Sequence, residues 1–390
     1  MVTGPLLPDL IFVFSSIFFV YYFKKDFKEM IKTYSVFFIF WIILILCSLL
    51  SENILISLKS SLFYIRFFLF SLLICYLLKK KLLDINLFLK ILTFLYFFLI
   101  ADSHFQYIFG YNILGIEIET KMRISSVFGS ELIMGSFILK TFPLYLVCLL
   151  IQKKDRLIYL LPLVYSSLIL SGERTTILLS IIFLIFFLIL KIDLKKKLLI
   201  FFLVLSVFVL HFNFNKHFNY NFTERVKEEV ILNLNSENHK QYSYKKVIPF
   251  NLFTENHTRI YNTAYLMFLD KKFYGHGPNM YRYKCLMYDD GSCTTHPHNH
   301  IFQMLAEVGI LGILIYFIIF LIICKNLYIS VLINHKNSNI KILLSLSLIL
   351  NFFPFLPAGN FFNNYLNIMM YFPLGFYLYY FNIKNSDEFR

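Results

Sequence analysis

The chain has 390 residues, 58% of them hydrophobic and 19% aromatic, and a mean hydropathy of +0.66. A water-soluble globular domain holds about 45–50% apolar residues, so this chain has too little polar surface to fold in water alone. Its net charge of +14 would suit a nucleic-acid binder. The lysines and arginines, however, sit in short clusters between apolar runs, as in the cytoplasmic loops of a membrane protein, and no nucleic-acid partner is expected.

Apolar runs near the roughly 20 residues that cross a bilayer recur at 6–23, 34–50, 61–78, 87–101, 131–151, 157–170, 175–190, 198–212, 301–324, 341–357 and 361–381. They predict an all-α integral membrane protein of about eleven, or twelve, spans. The first run lacks the basic leader and small-residue cleavage site of a signal peptide and reads as a span. Basic residues fill the odd connections: Lys24, Lys25, Lys28 and Lys32; Lys79, Lys80 and Lys81; Lys153, Lys154 and Arg156; Lys191, Lys195, Lys196 and Lys197; Lys325, Lys336 and Lys341. The even connections hold few, such as Lys59 in the second and Arg174 in the sixth. By the positive-inside rule the odd connections are cytoplasmic, the N-terminus lies outside and the C-terminus inside.

Two even connections are long, 102–130 and 213–300. The chain therefore divides into spans one to eight (1–212), a large outer loop (213–300) and spans nine to eleven (301–390). Loops of such length are usually functional. Within the large loop, Thr258–Leu269 predicts a short amphipathic helix, and Gly275, Gly277 and Pro278 a tight turn. Cys285 and Cys293 lie in the same loop, where an oxidising space would allow a disulfide. Cys47, Cys75, Cys148 and Cys324 read as packing residues.

The strongest local signal is His296-Pro297-His298-Asn299-His300, at the entry to the ninth span. Asn299 suits a helix N-cap. A histidine there could act as a general base, its pKa being near neutrality. A purely structural cap and a metal site completed by Asp289 or Asp290 are the competing readings. The second signal is Ser171-Gly172-Glu173-Arg174-Thr175-Thr176, an outer turn whose arginine stands at the membrane edge; such a charge marks a site or snorkels to the headgroups. The third is Arg259, upstream of Gly275-His276-Gly277. The fourth is Arg123-Ile124-Ser125-Ser126 before the fifth span. Arginines pair bidentately with phosphate oxygens, so Arg123, Arg174 and Arg259 beside His296 and His298 suit a lipid-linked phosphate substrate. No nucleotide-binding loop is present.

These residues, in this order, resemble the O-antigen ligase and polymerase superfamily over about residues 120–320. Ser171-Gly172-Glu173-Arg174 is similar to the family's Ser-Arg turn, with Glu173 where Ser is commoner. Arg259 with Gly275-x-Gly277 resembles its loop arginine and glycine turn. His298-Asn299, followed by Leu305, Glu307, Gly309 and Gly312, resembles its His-Asn…Leu…Glu-x-Gly-x-x-Gly segment. The resemblance implies a GT-C-like glycosyltransferase of the bacterial inner membrane, with its site facing the periplasm. It implies transfer of a glycan from undecaprenyl diphosphate to a hydroxyl of lipid A–core, without metal or other cofactor. His298, with His296 in reserve, would activate the acceptor; Arg174 and Arg259, with Arg123 as a further candidate, would hold the diphosphate. A surface-polysaccharide polymerase would use the same donor. A non-enzymatic transporter of lipid-linked sugars is the rival of another class, and would place its charges near the bilayer midplane. The family's usual twelve spans with both termini cytoplasmic differ from the eleven counted in this chain.

Overall fold

The computed structural model describes residues 6–22, 35–118, 123–220, 255–288, 293–333 and 337–382. Lys24, Lys25, Lys28, Lys32, Lys336, Asp289, Asp290 and residues 221–254 of the large loop lie outside them. The regular structure of the described residues is helical, apart from one isolated bridge between Tyr111 and Glu117, and irregular connections join the helices. The helices are α1 (Leu6–Tyr22), α2 (Ser35–Leu49), α3 (Ile54–Leu62), α4 (Ile65–Lys79), α5 (Ile85–Phe109), α6 (Met134–Ile151), α7 (Leu161–Leu170), α8 (Arg174–Ile189), α9 (Leu194–Phe214), α10 (Glu255–Asp270), α11 (His300–Leu332), α12 (Ser338–Phe352) and α13 (Asn364–Asn382).

Every expected apolar run coincides with a helix, and α10 occupies the stretch expected to be amphipathic. Five helical stretches are both long and apolar enough to cross a membrane: Ile54–Lys79, Ile85–Phe109, Met134–Ile151, Leu194–Phe214 and His300–Leu332. Several boundaries differ from expectation, among them the end of α5, which runs on to Phe109. The second connection contains α3, started by the Asn53 side chain accepting from Ile56 N. The ninth run continues beyond residue 324 to Leu332, because Lys325 and Asn326 extend the helix instead of ending it; Asn326 donates to the Tyr377 hydroxyl at 2.6 Å.

The core is apolar and aromatic: α4 packs on α13, and α12 lies among α6, α11 and α13. α9 is hydrophobic all round yet little buried, and Phe94 of α5 and Phe202 of α9 are 74% and 59% exposed. Helices that show large apolar side chains outward suit hydrocarbon, not water. The protein is an all-α membrane protein.

Contacts between connections sort the chain into two ends. Lys154 Nζ donates to Asn86 Oδ1 at 3.0 Å, and Lys191 N donates to Asn339 Oδ1 at 2.7 Å, so odd connections meet odd ones. At the opposite end Arg66 joins Asp9 at 2.9 Å and Asn364 at 2.8 Å, while Glu52 pairs with Lys271 at 2.9 Å and with Lys284. The start of α1, the entries to α4 and α13 and the large loop therefore share one end.

Candidate functional site

The histidine wall is built by Asn299. Its side-chain oxygen accepts from Ile301 N at 2.8 Å and Phe302 N at 3.3 Å, capping α11. Its amide donates to the carbonyls of Pro354 and Leu356 at 3.0 and 3.3 Å, tying that cap to the turn between α12 and α13. His298, just before the cap, has a φ of 54°, and its carbonyl accepts from Ala358 N at 2.8 Å. A non-glycine residue held in the left-handed region stores strain, a trait of functional positions. The His298 ring lies 4.1 Å from that of His296 and 6.1 Å from that of His257, centroid to centroid. Burial lowers the His298 imidazole below its ordinary pKa; burial, His298 and Arg282 together push His296 down to about 3. Both rings are thus neutral near pH 7 and able to accept a proton.

The arginine wall starts at Gly172, whose φ of 64° turns the chain from α7 into α8. Arg174 is the first residue of α8. Glu173 points the other way, into the start of α6, where its carboxylate accepts from Gly135 N at 2.8 Å and Ser136 N at 3.2 Å. The positive end of a helix favours such a carboxylate. Burial raises the Glu173 pKa, while Arg123, Thr176 and the two amides pull it back. Gly135 is needed there, since a Cβ would lie 2.3 Å from Ser171 Oγ. Arg123 donates to Ser171 O at 3.2 Å and Leu132 O at 2.9 Å, and stands 4.0 Å from Glu173. Much of its donor capacity thus fastens the Arg123 segment to the Arg174 turn.

The large loop is seated by a break in α11. Gly309 has φ 69° and ψ −158° inside the helix, which frees nearby backbone groups. Loop residues take them up: His276 N donates to Ala306 O at 3.0 Å, Gly277 N to Glu307 O at 2.8 Å, and Ile310 N donates to Lys272 O at 2.8 Å. Irregular backbone within a spanning segment is tolerated only where protein or a lined cavity satisfies it. Contact is too close for side chains, since a Cβ on Gly275 would come within 2.4 Å of Glu307 C and one on Gly309 within 2.6 Å of Phe273. The Glu307 carboxylate accepts from Tyr281 N at 2.8 Å and from Gln303 Nε2 at 3.0 Å. Gln303 also donates to Asn360 Oδ1 at 2.7 Å, reaching the α12–α13 turn. The Glu-x-Gly-x-x-Gly stretch is therefore a seat for the loop. Cys285 and Cys293 form a disulfide across the same loop, with Cα atoms 5.4 Å apart.

These walls enclose a cleft of about 1420 Å³. Arg123, Arg174, His296 and His298, distant in sequence, all line it. Arg259 is not among its lining residues; it sits on α10 two positions after His257, which is. Sequence reasoning passed over His257, Lys140 and Arg282, which line the cleft too. Lys140 did leave a signal, a lone lysine within an apolar run; Arg282 left none, because its approach depends on the broken helix. Among the described residues no group of three or more His, Cys, Asp or Glu side chains is arranged to hold a metal ion.

Comparison with known proteins gives one finding. Residues 157–317 match the family described as O-antigen ligase, a segment that includes the Arg174 turn, Arg259 and the His298-Asn299 cap. No curated protein and no solved structure matches the chain. The matched segment is thus similar to the O-antigen ligase family, and it supplies Arg174, His257, Arg282, His296 and His298 to the cleft.

Proposed function

We propose that the protein is a polytopic glycosyltransferase that moves a glycan from a polyprenyl diphosphate to the hydroxyl of a lipid A–core acceptor at the outer face of the bacterial inner membrane. The observation that carries this reading is the meeting of Arg174 with His298 and His296 in one cleft. The acceptor oxygen attacks the anomeric carbon and its proton passes to His298. The bond from that carbon to the diphosphate oxygen breaks, the electron pair staying on the diphosphate. Arg174 and Arg123 stabilise the charge that develops there. His298 suits the base because its ring is partly withdrawn from solvent and neutral; His296 supports it from 4.1 Å away. Arg259, on α10 two positions from the cleft-lining His257, is the further residue assigned to the diphosphate. The alternation of basic connections and a disulfide that suits an oxidising space support this reading of about eleven spans with the cleft on the outer side.

The test is His298→Ala in a strain lacking the native copy, with protein level checked and surface polysaccharide separated on a gel. A general base contributes about 10²–10⁴-fold in rate, so glycan on lipid A–core should vanish while lipid-linked glycan accumulates. Long lipid-linked chains that disappear instead would mark a polymerase. Unchanged glycan would reduce His298 to a residue before a helix cap and leave transport as the standing reading.

A further inference from the structure

Lys140 lies on α6, six residues beyond its first residue Met134. At 1.5 Å per residue that is about 9 Å below the helix's outer end. Its side chain is nine-tenths buried, and among the described residues it makes no hydrogen bond and no ion pair within 4 Å. A buried ammonium offset only by the field of Glu173, a carboxylate already held by the α6 amides, is costly in a spanning segment, and that cost calls for a ligand. Helix side chains lean toward the N-terminus, which here directs Lys140 up toward the cleft that it lines.

The remaining lining cations stand at the rim: Arg123 before α6, Arg174 at the first residue of α8, and Arg282 on the loop. Four cationic side chains thus meet two carboxylates, Glu131 and Glu173, and Glu173 is already held by the amides of α6. Positive charge is in excess at two depths.

We propose that Lys140 binds the lipid-side phosphate of the donor's diphosphate, while the rim arginines hold the sugar-side phosphate. This rests on the reading of the cleft as a polyprenyl-diphosphate site. A prenyl chain descends into the bilayer, so the phosphate attached to it is the deeper of the two. When the anomeric carbon leaves, its bonding pair remains on the sugar-side phosphate oxygen and the lipid diphosphate gains one negative charge. Lys140 then carries part of that charge from below, in a setting where water screens it little. The same cation retains the spent carrier until the glycan product departs.

The test uses the full-length protein in nanodiscs and three probes: farnesyl diphosphate, farnesyl monophosphate and inorganic pyrophosphate. A hydrogen bond to a charged group is worth about 1.5–3 kcal/mol, roughly 10- to 100-fold in affinity. Lys140→Gln should weaken both farnesyl probes by that factor, with inorganic pyrophosphate little changed. Lys140→Arg should retain binding, and Arg174→Ala should weaken the diphosphates but spare the monophosphate. Thermal unfolding of each variant separates lost binding from lost folding, and Lys140→Met serves as a second uncharged variant of similar length. Wild-type affinity in both Lys140→Gln and Lys140→Met would overturn the assignment and leave the wider reading intact. Failure of the wild-type protein to bind any prenyl phosphate would remove that reading, and Lys140's role with it.

Discussion

His298 combines three local properties: a left-handed backbone, a ring tilted against a second imidazole, and a neighbour that caps a helix. The first is held by the Ala358 amide and the third by Asn299, so the ring's position depends on the α12–α13 turn. Replacing Asn299 by Ala removes a cap, worth about 0.5–2 kcal/mol, and two bonds to that turn. We expect a lower melting temperature together with a drop in kcat, measured on purified protein. The pH profile should carry its own signature. His296 and His298 have pKa values below the ordinary imidazole range, so the base stays neutral through pH 7 and glycan transfer should fall only on the acid side of about 6.5. Stability should fall in the same direction. The unfolded chain takes up protons below that pH which the folded histidines refuse. A profile that rises toward acid would exclude a neutral imidazole base. The motif His298-Asn299 was readable from residue types, since a cap and a titratable ring declare themselves. The strain at His298 was not, because it arises from contact with Ala358, far along the chain.

At the scale of elements, α11 is the organising piece. Its uniform apolarity predicted one span, and one span is present, but with a break at Gly309 on which the loop rests. Gly309→Ala would place a Cβ within 2.6 Å of Phe273 backbone in a conformation that side chains rarely adopt. A strained backbone of that sort costs about 1–3 kcal/mol before the clash is counted. The expected result is loss of the monodisperse folded peak in fluorescence-detected size exclusion. Gly312→Ala would meet Val308 Cβ at 2.4 Å, a stiff β-branched neighbour, and should also destabilise, though without left-handed backbone strain. The glycines were visible in the sequence as a family pattern. Their cause was not, because Gly275 and Gly309 are required by the seating of the loop on α11, tens of residues away along the chain. Arg259 was legible by type as a phosphate contact, but its place on α10, two positions from the cleft-lining His257, was not.

For the whole molecule, composition alone dictated an all-helical membrane protein, and the alternation of basic connections anticipated which turns meet. What composition could not give was the convergence of the Arg123, Arg174 and His298 segments, which depends on how α6, α8, α11 and α12 pack. The Cys285–Cys293 bridge offers a test of orientation as well as stability. Closing a loop of this size contributes about 2.5 kcal/mol in the chain-entropy view, so the Cys285→Ser, Cys293→Ser double variant should melt at a lower temperature. In intact cells, a membrane-impermeant maleimide should label these two sulfurs only after reduction. Labelling without reductant would place them in a reducing space and invert the topology.

The cleft draws one wall from residues near 350–366, synthesised after every other part of the site. During translation the ribosome will have released the arginine turns and the histidine cap long before this wall exists. A nascent chain halted before α12 would hold the candidate base and its cations in the membrane without the wall that closes the cleft. The order of synthesis thus puts completion of the cleft last, when the α12–α13 turn is in place.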